Sequence, residues 1–491
     1  MDPMNPGFAP ESRRWWALAT ICLVQVMLLL DVTVVNLALA PIQHDLGFSS
    51  TGLAWVVNGY TVTYGGVLML GGRMGDLLGR RRMFLIGLVL FTLSSAAAGL
   101  APDAGTIVAA RLVQGVGAAM VSPAALSMVT LLFSRPRERA RAMAIWSGLA
   151  GLGAALGVVI SGVLVDLASW RWIFFINLPI AAAAFVATRR FVSESRAAAR
   201  GGRPDVAGAV LITAGLLAAV SGLLEKGERP WLSFAVLGWI GIGGALLAMF
   251  VFVEARVARP LVPLAFLRSR TRSAANIVRV CYYVGFATFF FSLSLYAQQQ
   301  LHFPPLEAGF AFMPFGLVIL FSATVLAPRL LRRLGVWALN AGGLAISTLG
   351  YLTLAGLTAH GTYAADVLPG LLLVPLGGGL VLVGSTVAGV DGVTGEDAGI
   401  ATSMNNASMQ IGSALGLAAL VSLGASHATT LRNGGMSPSD ASAHGYALSF
   451  AIAAGVTAFG SLVGLLGIRT NAPRQAPMPQ PVEPVGSAAG R

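Results

Sequence analysis

Charge is scarce in this sequence, and lysine and cysteine are scarcer still. Asp, Glu, Lys and Arg make up 11% of the 491 residues, while 56% are hydrophobic. A soluble globular chain averages about 25% charged residues, so too little charge is present here to cover a water-facing surface. Lys226 is the one lysine, and the net charge of +12 is therefore arginine. Those arginines sit in short clusters between apolar runs and form no continuous basic patch, which excludes nucleic acid as the expected partner. The two cysteines, Cys22 and Cys281, both fall inside apolar runs. That excludes a disulfide framework and leaves them as small buried residues. Neither GxxxxGK[ST] nor HExxH occurs, so the sequence offers no nucleotide-phosphate loop and no zinc-protease helix. No metal site and no enzyme activity are expected. His44, His302, His360, His427 and His444 all map to one outer face. What is plentiful is glycine, 60 residues, and proline, 24, a balance suited to closely packed membrane helices.

A membrane-spanning helix needs about 20 mostly apolar residues. Fourteen runs qualify, near 15–39, 53–71, 83–101, 105–131, 142–165, 172–188, 206–224, 232–253, 273–297, 306–327, 336–357, 367–389, 398–423 and 447–468. The first begins with ESRRWWALA, which resembles a twin-arginine export signal. The run from Trp15 to Ala40 is longer than the 7–15 apolar residues of a signal peptide and contains Asp31, so it reads as a retained helix. With the N-terminus in the cytoplasm, 26 of the 32 basic residues fall on the inner side, as the positive-inside rule requires. Only Arg171, Lys226, Arg229 and Arg432 fall outside, and Arg111 and Arg279 lie within helices.

The expected fold is an all-α membrane protein with both termini cytoplasmic. Residues 1–199 form a six-helix bundle, 200–272 two extra helices with cytoplasmic linkers, 273–468 a second six-helix bundle, and 469–491 a Pro-rich disordered tail. Two such halves joined by cytoplasmic linkers are the organisation of a rocking-bundle transporter.

Three stretches carry the chemistry. GRMGDLLGRRR, residues 72–82, fills the cytoplasmic loop between spans 2 and 3. Gly72 opens the motif, Gly75 and Gly79 permit a tight turn, and Asp76 beside Arg80, Arg81 and Arg82 suits an ion-pair latch between helices. Span 4 reads RLVQGVGAAMVSPAALS, 111–127, with Arg111, Gln114, Gly115, Ala118 and Ser122 at helical spacing on one polar, small-residue face. Span 5, GLAGLGAALGVVISGVLVD, sets Gly153, Gly157 and Ser161 four residues apart, followed by Gly162, a close-packing stripe.

The loop at 72–82 resembles the loop-2–3 signature of the major facilitator superfamily, and span 4 its fourth-helix motif with a buried arginine. Span 5 resembles the antiporter motif of the drug exporters. It departs from that motif in carrying Gly157-Val158 and Ser161-Gly162 where the family has Gly-Pro and Gly-Gly, so the proline to which the kink is attributed is missing. LDVTVVNLALAPI (30–42), SWRWIFFINLPI (169–180) and YAQQQLHFPPLEAGFAFMP (296–314) narrow the resemblance to the fourteen-helix drug:proton antiporters, of the multidrug and quaternary-ammonium resistance type. The second copy of the loop motif, APRLLRRLG at 327–335, lacks the aspartate.

The resemblance implies proton-driven export of amphipathic drugs, cationic or neutral, across the cytoplasmic membrane of a bacterium, with an essential acidic residue in span 1. Asp31 fits. An ionised carboxylate at the centre of a membrane helix costs roughly 2.5–3.5 kcal/mol on insertion scales and marks a functional site by default. At about 1.5 Å per residue, Asp31 lies roughly 13 Å and Arg111 roughly 9 Å below the outer boundary, so the two can pair. Opposite charge and burial pull such a carboxyl in opposite directions, the condition for taking up a proton on one side and releasing it on the other. Asn36 and Gln114 are grouped with that site. Span 9 carries Asn276, Arg279, Tyr282, Phe286 and Phe289 at three-to-four spacing, ending towards Tyr296 and Gln298, and Asn276, Tyr282, Phe286, Phe289 and Gln298 are candidate pocket-lining residues. Arg279 lies two turns inside the cytoplasmic end of that span, within reach of snorkelling. The expected partners are a small amphipathic substrate, protons and the lipid bilayer, with no cofactor beyond the proton gradient and a monomer as the simplest assembly. The alternatives are a dedicated exporter of one endogenous metabolite, antibiotic or lipid, and a receptor or enzyme on the same fold.

Overall fold

The computed structural model describes residues 11–49, 51–133, 135–196, 205–257, 260–262, 264–393 and 397–468. The first linker's middle and the Pro-rich tail expected after Arg469 lie outside them. Among the described residues the chain folds into fourteen helical rods: α1 (Glu11–Leu46), α2 (Ala54–Leu78), α3 (Arg80–Gly99), α4 (Ala104–Leu132), α5 (Pro136–Leu167), α6 (Trp172–Phe191), α7 (Val206–Glu225), α8 (Phe234–Glu254), α9 (Arg270–Gln299), α10 (Pro305–Leu334), α11 (Val336–Leu354), α12 (Tyr363–Gly389), α13 (Asp397–Asn433) and α14 (Pro438–Gly467). Eleven of these are long and apolar enough to cross a membrane by length and composition alone.

Several rods overshoot the apolar runs. Helix α1 continues to Leu46, α13 to Asn433, and α14 begins at Pro438 with Ser437 accepting the Asp440 N–H as its cap. Hydropathy marks the lipid-embedded part, whereas the hydrogen-bonded helix runs on until a cap or a glycine ends it. Other rods are interrupted. Helix α10 is offset at Phe312 and widens to a π-turn at Ser322–Leu326, and α12 opens with a π-turn at Tyr363–Val367. Pro314, Pro328 and Pro369 follow these irregularities closely, as expected of a residue with no N–H to give the preceding turn.

Helices α1–α6 and α9–α14 form two halves, each closed around apolar cores such as Phe84, Phe91, Phe133 and Met128 in the first and Phe289, Phe312, Phe315 and Tyr351 in the second. The extra pair is not a loose connector. Helix α8 packs along α7, and α7 lies against α2 of the first half and α13 of the second. Gly66 of α2 permits this: a Cβ there would run into the Thr213 side chain of α7.

The halves meet along α2 and α13, and at the outer ends of α1 and α9. Ser294 Oγ donates to the Asn36 carbonyl at 2.7 Å, and Gln298 Nε2 to the Leu37 carbonyl at 3.2 Å. At Gly162 of α5 a Cβ would stand 2.8 Å from the Pro305 carbonyl of α10. The α7–α8 turn ties both halves on the same side. Glu228 Oε1 accepts the Ser49 and Thr51 hydroxyls at 2.8 and 2.7 Å, and Lys226 Nζ donates to Ser426 Oγ at 3.0 Å. The Thr51 and Ser49 hydroxyls, with Arg229 nearby, hold Glu228 below the usual carboxylate range. A depressed carboxyl contributes in full above its unfolded value and loses that contribution as pH falls through its folded value. Acidifying the outer face below the ordinary glutamate range is therefore expected to release this tie. Hydrogen exchange at residues 226–231 should rise there, and should already be raised at neutral pH in Glu228→Gln.

Candidate functional site

Asp31 closes the middle of the first half into one polar cluster. Arg111 Nη1 donates to Asp31 Oδ2 at 2.7 Å and to Gln114 Oε1 at 2.8 Å, and Gln114 Nε2 donates to Asp31 Oδ1 at 2.7 Å. Asn177 Nδ2 reaches the same Oδ1 at 3.2 Å and Ser95 Oγ at 3.0 Å. Arg111 Nε donates to the Val56 carbonyl at 2.9 Å, and its guanidinium carbon lies 4.6 Å from the Tyr60 ring centroid. The ion pair is sealed, with side-chain exposures of 2% for Arg111 and 1% for Asp31. Five helices thus converge on one carboxylate.

Local sequence explains the convergence. On α4, Arg111 and Gln114 are three residues apart and share a face. Gly115 lets α2 close on that face, because a Cβ there would meet the Thr63 hydroxyl and the Tyr60 carbonyl. Helix α5 supplies the other wall. Gly153 faces Leu29, a Cβ at Gly157 would collide with Thr33 Oγ1, and Ser161 Oγ donates to the Val34 carbonyl at 2.6 Å. The small-residue stripe therefore packs on α1 to either side of Asp31. Gly162 turns away from it, towards α10. Helix α5 runs uninterrupted from Pro136 to Leu167 through the position where the exporters carry proline.

The structure places several of the expected site residues differently from their sequence grouping. Asn36 does not join the cluster: its Nδ2 donates to the Val32 carbonyl of its own helix at 3.0 Å. Five residues of α-helix turn about 140°, so Asn36 points away from Asp31 and towards the α9 interface. Replacing Asn36 with Ala is expected to leave transport within about two-fold, whereas Asn177→Ala removes a bond to the buried carboxylate and should lower it about ten-fold. Initial rates in vesicles check the pair.

Asp76 accepts Arg80 Nε at 3.1 Å and Nη2 at 2.8 Å, so the expected ion pair between helices joins the adjacent α2 and α3 of the first half. The rest of this loop is anchored by Glu194, which accepts the Arg81 and Arg82 N–H groups at 3.1 Å each. Gly79 has φ of 115°, and a Cβ there would stand 2.7 Å from the Glu194 carboxyl. The Arg81 guanidinium donates to the Arg189 carbonyl at 3.0 Å. Gly75 accepts the Gly79 N–H through its carbonyl, and Gly72 only approaches Pro123. The close approach is at Gly71, which abuts the Ala119 carbonyl.

Of the aromatic stripe on α9, Phe289 is a core residue and no pocket wall, fully buried among Phe290, Phe312, Phe315 and Tyr351. Tyr282 is likewise fully buried. Phe286 is partly buried against Tyr283, and Asn276 accepts the Ser408 hydroxyl at 2.8 Å across to α13. Gln298 bonds to the first half as described above. Arg279 does not snorkel; it is 5% exposed and turned onto α12.

The Major Facilitator Superfamily model matches residues 21–417. A puromycin resistance protein of Streptomyces alboniger is 37% identical, covering 91% of this chain and 90% of its own. A lincomycin resistance protein of Streptomyces lincolnensis is 39% identical over 85% of this chain and 86% of its own. A tetracenomycin C resistance and export protein of Streptomyces glaucescens is 33% identical, over 85% and 77%. In fold, the chain is similar to a crystal structure of a peptide transporter in complex with sulfate, with TM-score 0.68 and 15% identity over 91% of this chain and 93% of that one.

Proposed function

The chain belongs to the major facilitator superfamily as a multi-pass membrane transporter, and from that premise we propose that it is a proton-coupled antiporter. It exports amphipathic antibiotics or secondary metabolites across the cytoplasmic membrane. The observation that supports this most directly is a sealed carboxylate, Asp31, bonded to a buried arginine and two amides within a membrane bundle. An ionisable side chain within a membrane helix marks a functional site by default, and a carboxylate whose cation and amide partners can be exchanged for a proton or a substrate can couple the two.

In this reading the outer ties between α1 and α9 belong to an outward-closed state, and rocking of the halves exposes Asp31 to the outer side. Substrate entering from the cytoplasm competes with Arg111 for the carboxylate, and protonation from outside resets it. The Asp76–Arg80 and Glu194 contacts hold the cytoplasmic ends of α2, α3 and α6 as one unit during the motion. The three relatives described above are each named for one antibiotic, which favours as a second reading a dedicated exporter of one endogenous compound.

Purified protein in liposomes, with an inside-acidic gradient, tests the proposal. Collapse of the gradient on adding several unrelated lipophilic cations and neutral drugs supports multidrug antiport. Collapse by one compound class alone supports the dedicated exporter, and transport that proceeds without proton movement overturns the antiport reading.

A further inference from the structure

Arg279 is, among the described residues, the second arginine buried within a helix, and its surroundings are the reverse of those of Arg111. Its Nε donates to Ser385 Oγ at 3.1 Å, and Nη2 to Thr386 Oγ1 at 2.7 Å and to the Leu382 carbonyl at 3.4 Å. All three acceptors are neutral. Among the described residues no carboxylate pairs with it, and Nη1 bonds to none of them. Buried charges are ordinarily paired, and an ionisable side chain within a membrane helix marks a functional site unless a partner accounts for it. Among the described residues no carboxylate does.

The position suits an incoming ligand. Arg279 lies about 14 Å along α9 from Arg270, in the cytoplasmic half of the helix. Thr386, which holds one edge of the guanidinium, is exposed, so that edge borders open space. One turn further along the same face of α9 stand Tyr283 and then Phe286, their rings 5.3 Å apart and T-shaped. A fixed planar cation beside an aromatic wall fits an amphipathic anion, with its acid group on the fork and its rings against the wall.

We infer that Arg279, with Thr386, Tyr283 and Phe286, is a subsite for the anionic group of an amphipathic substrate, a carboxylate, sulfonate or phosphate carried on an aromatic body. This deepens the exporter reading and rests on it. It also departs from the cationic or neutral drugs expected from the sequence. Acidic compounds become export substrates, with Asp31 carrying the proton in one half and Arg279 the substrate's charge in the other.

The test uses the full-length protein in nanodiscs of zwitterionic lipid, with empty discs as the blank. The probes are 8-anilinonaphthalene-1-sulfonate and its uncharged congener N-phenyl-1-naphthylamine. The sulfonate is expected to bind about ten-fold tighter than the congener. Arg279→Gln should erase that preference and leave congener binding unchanged, while Arg279→Lys should keep part of it. If Arg279→Gln does not fold, Thr386→Val serves, with a partial loss for the sulfonate alone. Equal binding of the two probes by the wild-type protein, or an undiminished preference in a folded Arg279→Gln, overturns the inference. So does loss of the preference when phosphatidylglycerol is added to the discs, which would assign the fork to a lipid headgroup. Drug-driven proton flux measured alongside separates the two claims. Flux without a sulfonate preference sinks this inference alone, whereas absent flux sinks the exporter reading.

Discussion

Substitution of Asp31 by Asn is expected to cut proton-coupled transport at least about ten-fold while leaving the protein folded. The carboxylate accepts from Arg111, Gln114 and Asn177 and donates to none of them. An amide keeps the shape and one acceptor, but sets an NH₂ group against donors that already point inwards, and it has no proton to exchange. Substrate-induced collapse of a pH gradient in liposomes should therefore vanish, even where substrate still binds. Transport by the variant at an unchanged proton:substrate ratio would remove Asp31 from the mechanism and leave the cluster as scaffold.

Loss of Arg111 should act on stability first. Arg111→Gln leaves the sealed Asp31 carboxyl without its cation, and breaking a buried pair by removing one partner costs about 3–5 kcal/mol. It also removes the bond to the Val56 carbonyl and the stacking on Tyr60. The unfolding midpoint in detergent should fall steeply. The double variant Asp31→Asn with Arg111→Gln should recover more than half of the loss, because no uncompensated charge then remains. Additive effects of the two changes would mean that the residues do not form one electrostatic unit.

The pairing of Asp31 with Arg111 was legible in the sequence because depth along a helix is simple arithmetic and charge in an apolar run is conspicuous. Asn177 was not. It sits in SWRWIFFINLPI, where an amide among apolar residues breaks no periodicity, and its role appears only when α6 is laid against α1. Ser95 and Tyr60 were hidden for the same reason. Asn36 misled because nearness in sequence was taken for nearness in space, although helical rotation alone sorts it from Asp31. Phe289 belongs to a stripe that winds partly into the core, and spacing along one helix does not reveal which neighbour covers it. Glu194 lies beyond a helix end in a polar linker, with no local pattern to connect it to the loop it anchors. The two-plus-twelve arrangement of helices, by contrast, followed from hydropathy and the side on which arginine accumulates.

The turn between α7 and α8 has a practical consequence. Its Lys226 is the only lysine in the chain, and it is held down, 9% exposed, by Ser426 and the face of Trp231. An amine-selective reagent that cannot cross the bilayer therefore finds one side-chain target, shielded while this turn stays seated. Separation of the outer ends would uncover it. The wild-type sequence thus contains its own reporter of outward opening, readable by labelling rate with no residue engineered in.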